Sequence, residues 1–245
     1  MHEQLVSVYV GAVPMRSLPL VAALAVVVTG SATYFAFGPT GSGVASFWLL
    51  SVVPTLALGV LAAVWARRET LLREWLTPRW GDFTRGLMGA VALFGLAWAF
   101  AHGVAPVGSP REIWLASLYS RIGDPRVLRG RGAVLALAVV GAALAEELVW
   151  RGMVTRLLAE RVGSRAAWWW AAALYALAYV PSAFVLADGS TPNPLLVLTA
   201  LAGGLLWGAM ARAFGRLVPS VLSHALFDWA VVMMFPLWGL GHDGS

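Results

Sequence analysis

Two glutamates stand side by side in the apolar run Ala145-Glu146-Glu147-Leu148-Val149-Trp150-Arg151-Gly152. A carboxylate at the centre of a membrane helix costs roughly 2.5–3.5 kcal/mol on insertion scales, so a pair of them needs a reason. Helical spacing supplies part of it: Glu147 and Arg151, at i and i+4, share a face and can pair. Glu146 is rotated about 100° from its neighbour, faces a different environment and stays free for chemistry. A second pair, His224 and Asp228 in Ser223-His224-Ala225-Leu226-Phe227-Asp228-Trp229, is again at i and i+4. A carboxylate and an imidazole meeting at one depth are suited to hydrolysis within a bilayer, where water must be brought to the bond and activated. A bundle held together by polar pairing alone would account for Glu147 and Arg151 but poorly for Glu146. His102 lies near the end of an apolar stretch and reads as interfacial.

The rest of the chain determines what can position these groups. Of its 245 residues 60% are apolar and 12% charged, and the mean hydropathy is +0.77. Soluble domains run near 45–50% apolar with about a quarter charged, so a soluble domain is excluded, as is disorder. The absence of cysteine excludes disulfides, thiolate zinc sites and a cysteine nucleophile. The net charge is +5, and every cation is Arg. With no soluble domain to present a basic face, nucleic acid is not an expected partner; the lipid bilayer is.

Apolar stretches of about 20 residues, long enough to cross roughly 30 Å of hydrocarbon, recur seven times. They fall near residues 18–37, 44–66, 86–107, 133–153, 166–186, 194–214 and 217–240. The fold class expected is all-α, a polytopic membrane protein of about seven transmembrane helices. Residues 1–132 form a first part with three spans, and residues 133–245 a four-helix core that carries all the charged motifs. The first 17 residues lack a clear charged leader and cleavage site, so the first span is expected to be retained. Two connections, 67–85 with Leu71, Leu72, Trp75 and Leu76, and 110–131 with Ile113, Trp114, Leu118 and Ile122, are amphipathic and read as interfacial helices. With the N-terminus inside, 11 Arg lie on the cytoplasmic side and five outside, all five in the loop 108–132. This orientation, in what the composition suggests is a bacterial inner membrane, puts Glu146 and His224 about 10 Å deep from the cytoplasmic side, in a cavity expected to open to that side.

Glu146-Glu147-x-x-x-Arg151 followed by His224-x-x-x-Asp228 on a late span resembles the CAAX protease and bacteriocin-processing family of intramembrane endopeptidases, related to the Rce1-type prenyl proteases of eukaryotes. The likeness covers roughly residues 133–232 and includes Gly203-Gly204-Leu205-Leu206-Trp207-Gly208 and Arg212-x-x-Gly215-x-Leu217. The resemblance implies that Glu146 activates a water, that Arg151 is structural beside Glu147, and that His224 and Asp228 serve the oxyanion. It also implies an aromatic residue followed four positions later by His; here the aromatic is Tyr175 and Tyr179 stands where the His belongs. A phenol ionises near pH ~10 and is a poor base at neutral pH, so Tyr179 offers a hydrogen bond in place of a proton carrier. Zinc is disfavoured as a cofactor, because Glu146, His224 and Asp228 make a thin ligand set with one imidazole. The expected function is a metal-free, glutamic-type endopeptidase acting on membrane-associated, C-terminally tagged or lipidated proteins. The alternative is a non-catalytic relative that binds membrane segments as a scaffold or regulator. A transporter is a third class, disfavoured because no repeat is visible and the charges cluster at one depth.

Overall fold

A computed structural model describes residues 18–39, 44–123, 128 and 130–233. Apart from one isolated bridge between Asp188 and Thr191, the regular structure among these residues is helical. The elements are α1 (Leu18–Phe37), α2 (Val44–Arg68), α3 (Leu72–Leu76), α4 (Asp82–Gly103), α5 (Glu112–Ile122) and α6 (Gly132–Glu147). A π-helical segment, Leu148–Val154, continues α6 into α7 (Thr155–Val162), followed by α8 (Ser164–Ala178), α9 (Val180–Val185), α10 (Leu195–Phe214) and α11 (Val218–Met233).

Six of these helices or continuous rods are long and apolar enough to cross a membrane, and α11 is a shorter apolar helix of 16 residues. This agrees with the all-α, multi-helix membrane architecture read from the sequence. Residues 234–240 of the seventh expected span lie outside the described residues. The fourth span is a rod of 31 residues, Gly132–Val162, because α7 extends it beyond the expected end at 153. Large apolar side chains such as Leu20, Val91 and Leu137 point outward. Inward positions favour small residues, the pattern of helices that associate in lipid by close backbone approach. Gly59 of α2 lies so near α6 that a Cβ there would come within 2.4 Å of Ala145 Cβ. Gly86 and Gly89 give α4 the same close fit against α11, where a Cβ would meet Leu222 Cβ and Ser223 Oγ at 2.6 Å.

The connections divide between two ends of the bundle. At one end lie α5, residues 38–39 after α1 and the loop 186–194. At the other lie α3, the corner at Gly163 and the turn 215–217. The two amphipathic connections are docked on the bundle as well as amphipathic. On α5, Leu118, Tyr119 and Ile122 are buried, and the Tyr119 hydroxyl donates to the Val231 carbonyl at 3.0 Å. Asn193, fully buried, donates to the Trp114 carbonyl and to Ser117 Oγ at 2.9 Å, tying α5 to the start of α10. At the opposite end Trp75 of α3 packs on Gly152, and its carbonyl accepts from Leu217 N at 3.0 Å. Gly215 closes α10 with φ of 65°, a left-handed cap favoured by glycine. Beside it Arg216 Nε donates to both Asp82 oxygens at 3.1 Å, which pushes the guanidinium's pKa higher still.

Candidate active site

Glu146 and Glu147 close α6, and the rotation between adjacent helical residues sends them to different places, as the spacing requires. Glu147 is fully buried, with Arg151 Nη1 at 3.1 Å from its Oε1. The pairing at i and i+4 therefore holds even though the intervening backbone is π-helical. Such widened turns are rare and are frequent at functional sites. The Arg151 guanidinium lies between two aromatic faces, 4.5 Å from the Tyr175 ring centre and 5.1 Å from that of Trp207. Cation–π attraction in a desolvated setting helps to hold a charge there.

His224 comes from α11 and stacks on Trp207 with ring centres 3.7 Å apart and planes 16° from parallel. Trp207 is itself fixed by its Nε1–H, donated to Ser223 Oγ at 3.1 Å. His224 Nδ1 lies 3.0 Å from Glu147 Oε1, the oxygen that also meets Arg151. On the other edge of the ring, Nε2 lies 3.4 Å from Asp228 Oδ2 and 3.8 Å from Glu146 Oε2. Orientation of the imidazole, expected from Asp228, is thus shared with Glu147.

Glu146 is held from the opposite side by two phenols. The Tyr175 hydroxyl donates to Oε2, and the Tyr179 hydroxyl donates to Oε1 at 3.3 Å. Both tyrosines owe their place to the end of α8. Pro181, which lacks an N–H and disfavours helix before it, interrupts the chain there, and Tyr179 sits at the break with φ −90° and ψ −5°.

Glu146, Glu147, Arg151, Tyr179, His224 and Asp228 therefore converge, and His102 lies apart from them, with Nδ1 at 2.9 Å from the Trp98 carbonyl. Sequence reasoning missed three neighbours. In the sequence Tyr175 reads only as the aromatic of the motif, and its i,i+4 spacing to Tyr179 is the signal for a shared face. Trp207 and Ser223, the support under His224, resemble ordinary span residues in the sequence.

Glu146, Tyr179 and Asp228 stand at one end of a cavity of about 600 Å³. The cavity runs from them toward the α5 end, between Phe37 and Phe47 of α1 and α2, Phe100 of α4, and Leu118 and Ile122 of α5. This lining extends away from the Arg-rich connections, toward which the sequence reading expects the cavity to open. The Arg-rich side of Glu146 is filled by the Glu147–Arg151 pair, Trp150 and the Trp75 ring against Gly152. Depth counted from helix ends located the residues, but which side is packed depends on aromatic side chains that depth does not reveal.

Glu146, His224 and Asp228 would be the donors for a zinc ion here, a thin set with one imidazole. Among the described residues no three His, Cys, Asp or Glu side chains are grouped so as to hold a metal. One imidazole is present among them, and the fourth group near Glu146 is a phenol.

Residues 130–230 match the family described as type II CAAX prenyl endopeptidase Rce1-like. No curated protein and no solved structure is detectably similar to the chain.

Proposed function

We propose that this chain is a glutamic-type endopeptidase that cuts a membrane-associated protein or lipidated peptide, since residues 130–230 match the Rce1-like family, whose membership implies an intramembrane protease. The observation that carries this reading is Glu146, facing the cavity, held by two phenols and 3.8 Å from His224 Nε2. Glu146 takes a proton from a water, and the resulting hydroxide adds to the peptide carbonyl. With Nδ1–H donated to Glu147, His224 offers a second N–H at Nε2 when protonated at both nitrogens, and this bond meets the oxyanion. A donor already aimed at developing charge in a site of low dielectric is among the strongest catalytic devices. Collapse breaks the C–N bond, and the leaving amine receives the proton held by Glu146, giving one carboxylic acid and one amine. Asp228 positions Nε2, and Tyr175 and Tyr179 position the base.

A second reading is favoured by one feature: both carboxylate oxygens of Glu146 accept from phenols, and no imidazole stands at Tyr179. A non-catalytic relative that binds membrane segments would use the same cavity without the hydrolytic step. The Arg count further supports a cytoplasmic N-terminus, which would set the cavity toward the outer face of the membrane.

Glu146→Gln separates the two readings. It keeps shape and hydrogen bonding but cannot accept the proton, so cleavage should stop while the thermal midpoint stays near that of the parent. Glu147→Gln should do the reverse. It leaves Arg151 without a charge partner and weakens the hold on His224, at a cost of about 3–5 kcal/mol in stability. Normal cleavage of a confirmed substrate by Glu146→Gln would end the glutamic mechanism.

A further inference from the structure

One hydroxyl on the cavity wall differs from the rest. Thr33, Ser51, Thr55 and Thr199 each donate to a carbonyl one turn back on their own helix at 2.7–2.9 Å. Such back-bonding satisfies a hydroxyl inside a helix. Tyr119 and Tyr179 donate to the Val231 carbonyl and to Glu146. Thr29 of α1 lines the same cavity and is 6% exposed, yet its hydroxyl has no hydrogen-bond partner among the described residues. Only its carbonyl is engaged, accepting from Thr33 at 2.7 Å. Trp48 on the wall also has an unpartnered N–H, but that nitrogen is itself enclosed by protein. The Thr29 oxygen is not enclosed in this way.

The place of Thr29 gives this hydroxyl a task. Next to it, Gly30 brings α1 against the break between α8 and α9, where a Cβ would lie 3.2 Å from the Ala178 carbonyl oxygen. Tyr179 follows Ala178 directly, so Thr29 stands at the Glu146 end of the cavity. Phe37, at the aromatic end, lies just over two turns, or roughly 12 Å, further along α1. A peptide bond brought into this apolar space must satisfy its carbonyl as well as its N–H. The other helix hydroxyls of the wall have given their one proton to their own backbone and can only accept. Thr29 keeps a proton to donate. A buried hydroxyl without a partner costs free energy, and a carbonyl brought to it recovers that cost.

We propose that Thr29 is a substrate-binding residue, its hydroxyl donating to a main-chain carbonyl of the chain held beside Glu146. The inference rests on the endopeptidase reading for what that chain is. It adds to the site a residue of the first span, which lies outside the matched residues 130–230.

For binding, the full-length Glu146→Gln protein in detergent is titrated with dansyl-Ala-Cys(S-farnesyl)-Val-Leu-Ala amide, a lipidated peptide, followed by fluorescence anisotropy. Adding Thr29→Val should weaken binding about 3- to 13-fold, as loss of one neutral hydrogen bond does, and Thr29→Ser should stay within about twofold. Thioamide versions of the peptide, with one carbonyl oxygen at a time replaced by sulfur, locate the acceptor. One of them should bind about threefold more weakly than the oxygen peptide when Thr29 is present, and equally well when it is Val. Because the hydroxyl holds nothing within the protein, Thr29→Val should leave the thermal midpoint without peptide unchanged or slightly raised. Unchanged binding in Thr29→Val, equal weakening by both substitutions, no thioamide coupled to Thr29, a lowered midpoint, or no peptide bound at all overturns the proposal. For cleavage, the wild-type protein is given the same peptide, and Thr29→Val should lower kcat/KM by the factor seen in binding. Coupled binding with no cut by the wild type upholds the inference and removes the endopeptidase reading. A cut that Thr29→Val leaves at the wild-type rate keeps that reading and overturns the inference.

Discussion

Tyr179 reaches Glu146 through a single hydroxyl, so what it contributes can be measured by removing one oxygen. If that hydrogen bond acts only on the transition state, Tyr179→Phe forfeits about 0.5–1.5 kcal/mol, a slowing of roughly 2- to 13-fold in turnover. Tyr179→His puts an imidazole beside Glu146 and should preserve or raise the rate. In a non-catalytic binder neither change alters the phenotype of a complemented deletion strain, and Glu146→Gln is silent as well. A wild-type phenotype from all three variants would remove the protease. Tyr175 differs from Tyr179 in also carrying the Arg151 guanidinium on its ring. Its substitution would therefore disturb both the base and the buried ion pair, which makes Tyr179 the cleaner probe.

Close helix contacts set the distance between these side chains. Gly59 lets α2 approach Ala145, the residue immediately before Glu146. Gly59→Leu should push α6 away and lower the stability by about 1–3 kcal/mol or more, read as a fall in thermal midpoint in detergent. Gly95 of the neighbouring α4 has open space around its Cβ direction, so Gly95→Ala is the control and should leave the midpoint unchanged or slightly raised. Most helices were legible because a run of about 20 apolar residues has few alternatives in lipid. The first span was read with the bounds it has. The third begins at Asp82, not at residue 86; Asp82 and Arg85 read as loop in the sequence but occupy the first turn of α4, where Asp82 is neutralised by Arg216. The fourth was cut short at Arg156 and Glu160, which lie on the amphipathic α7. The charged motifs of the site were legible for the complementary reason, that ionisable side chains stand out in an apolar chain. The π-helical turn and the aromatic supports were not legible, since nothing in their composition separates them from the spans around them.

For the molecule as a whole, the cavity and the Arg-rich connections lie toward opposite ends, and the Arg bias predicts which end faces the cytoplasm. The chain has no cysteine, so single Cys residues can be introduced without background. Thr77→Cys, beside α3, should be protected in intact cells from an impermeant thiol reagent, and Asp188→Cys, near the α5 end, should be labelled. The reverse pattern would turn the cavity toward the cytoplasm.

Leu96, Leu198 and Leu205 line the cavity and are also exposed apolar side chains of α4 and α10. The wall of the site is therefore continuous with the apolar outer surface, and in a bilayer acyl chains would have access to it. A membrane segment entering the cavity displaces lipid, which surrounds the protein at close to solvent abundance, and so it competes by mole fraction within the bilayer. Adding phosphatidylcholine to vesicles that hold fixed amounts of protein and substrate should lower the initial rate in proportion to the added lipid. Adding buffer to the same vesicles should leave the turnover per protein unchanged. A rate that followed bulk volume and ignored lipid would mean that the substrate arrives through water.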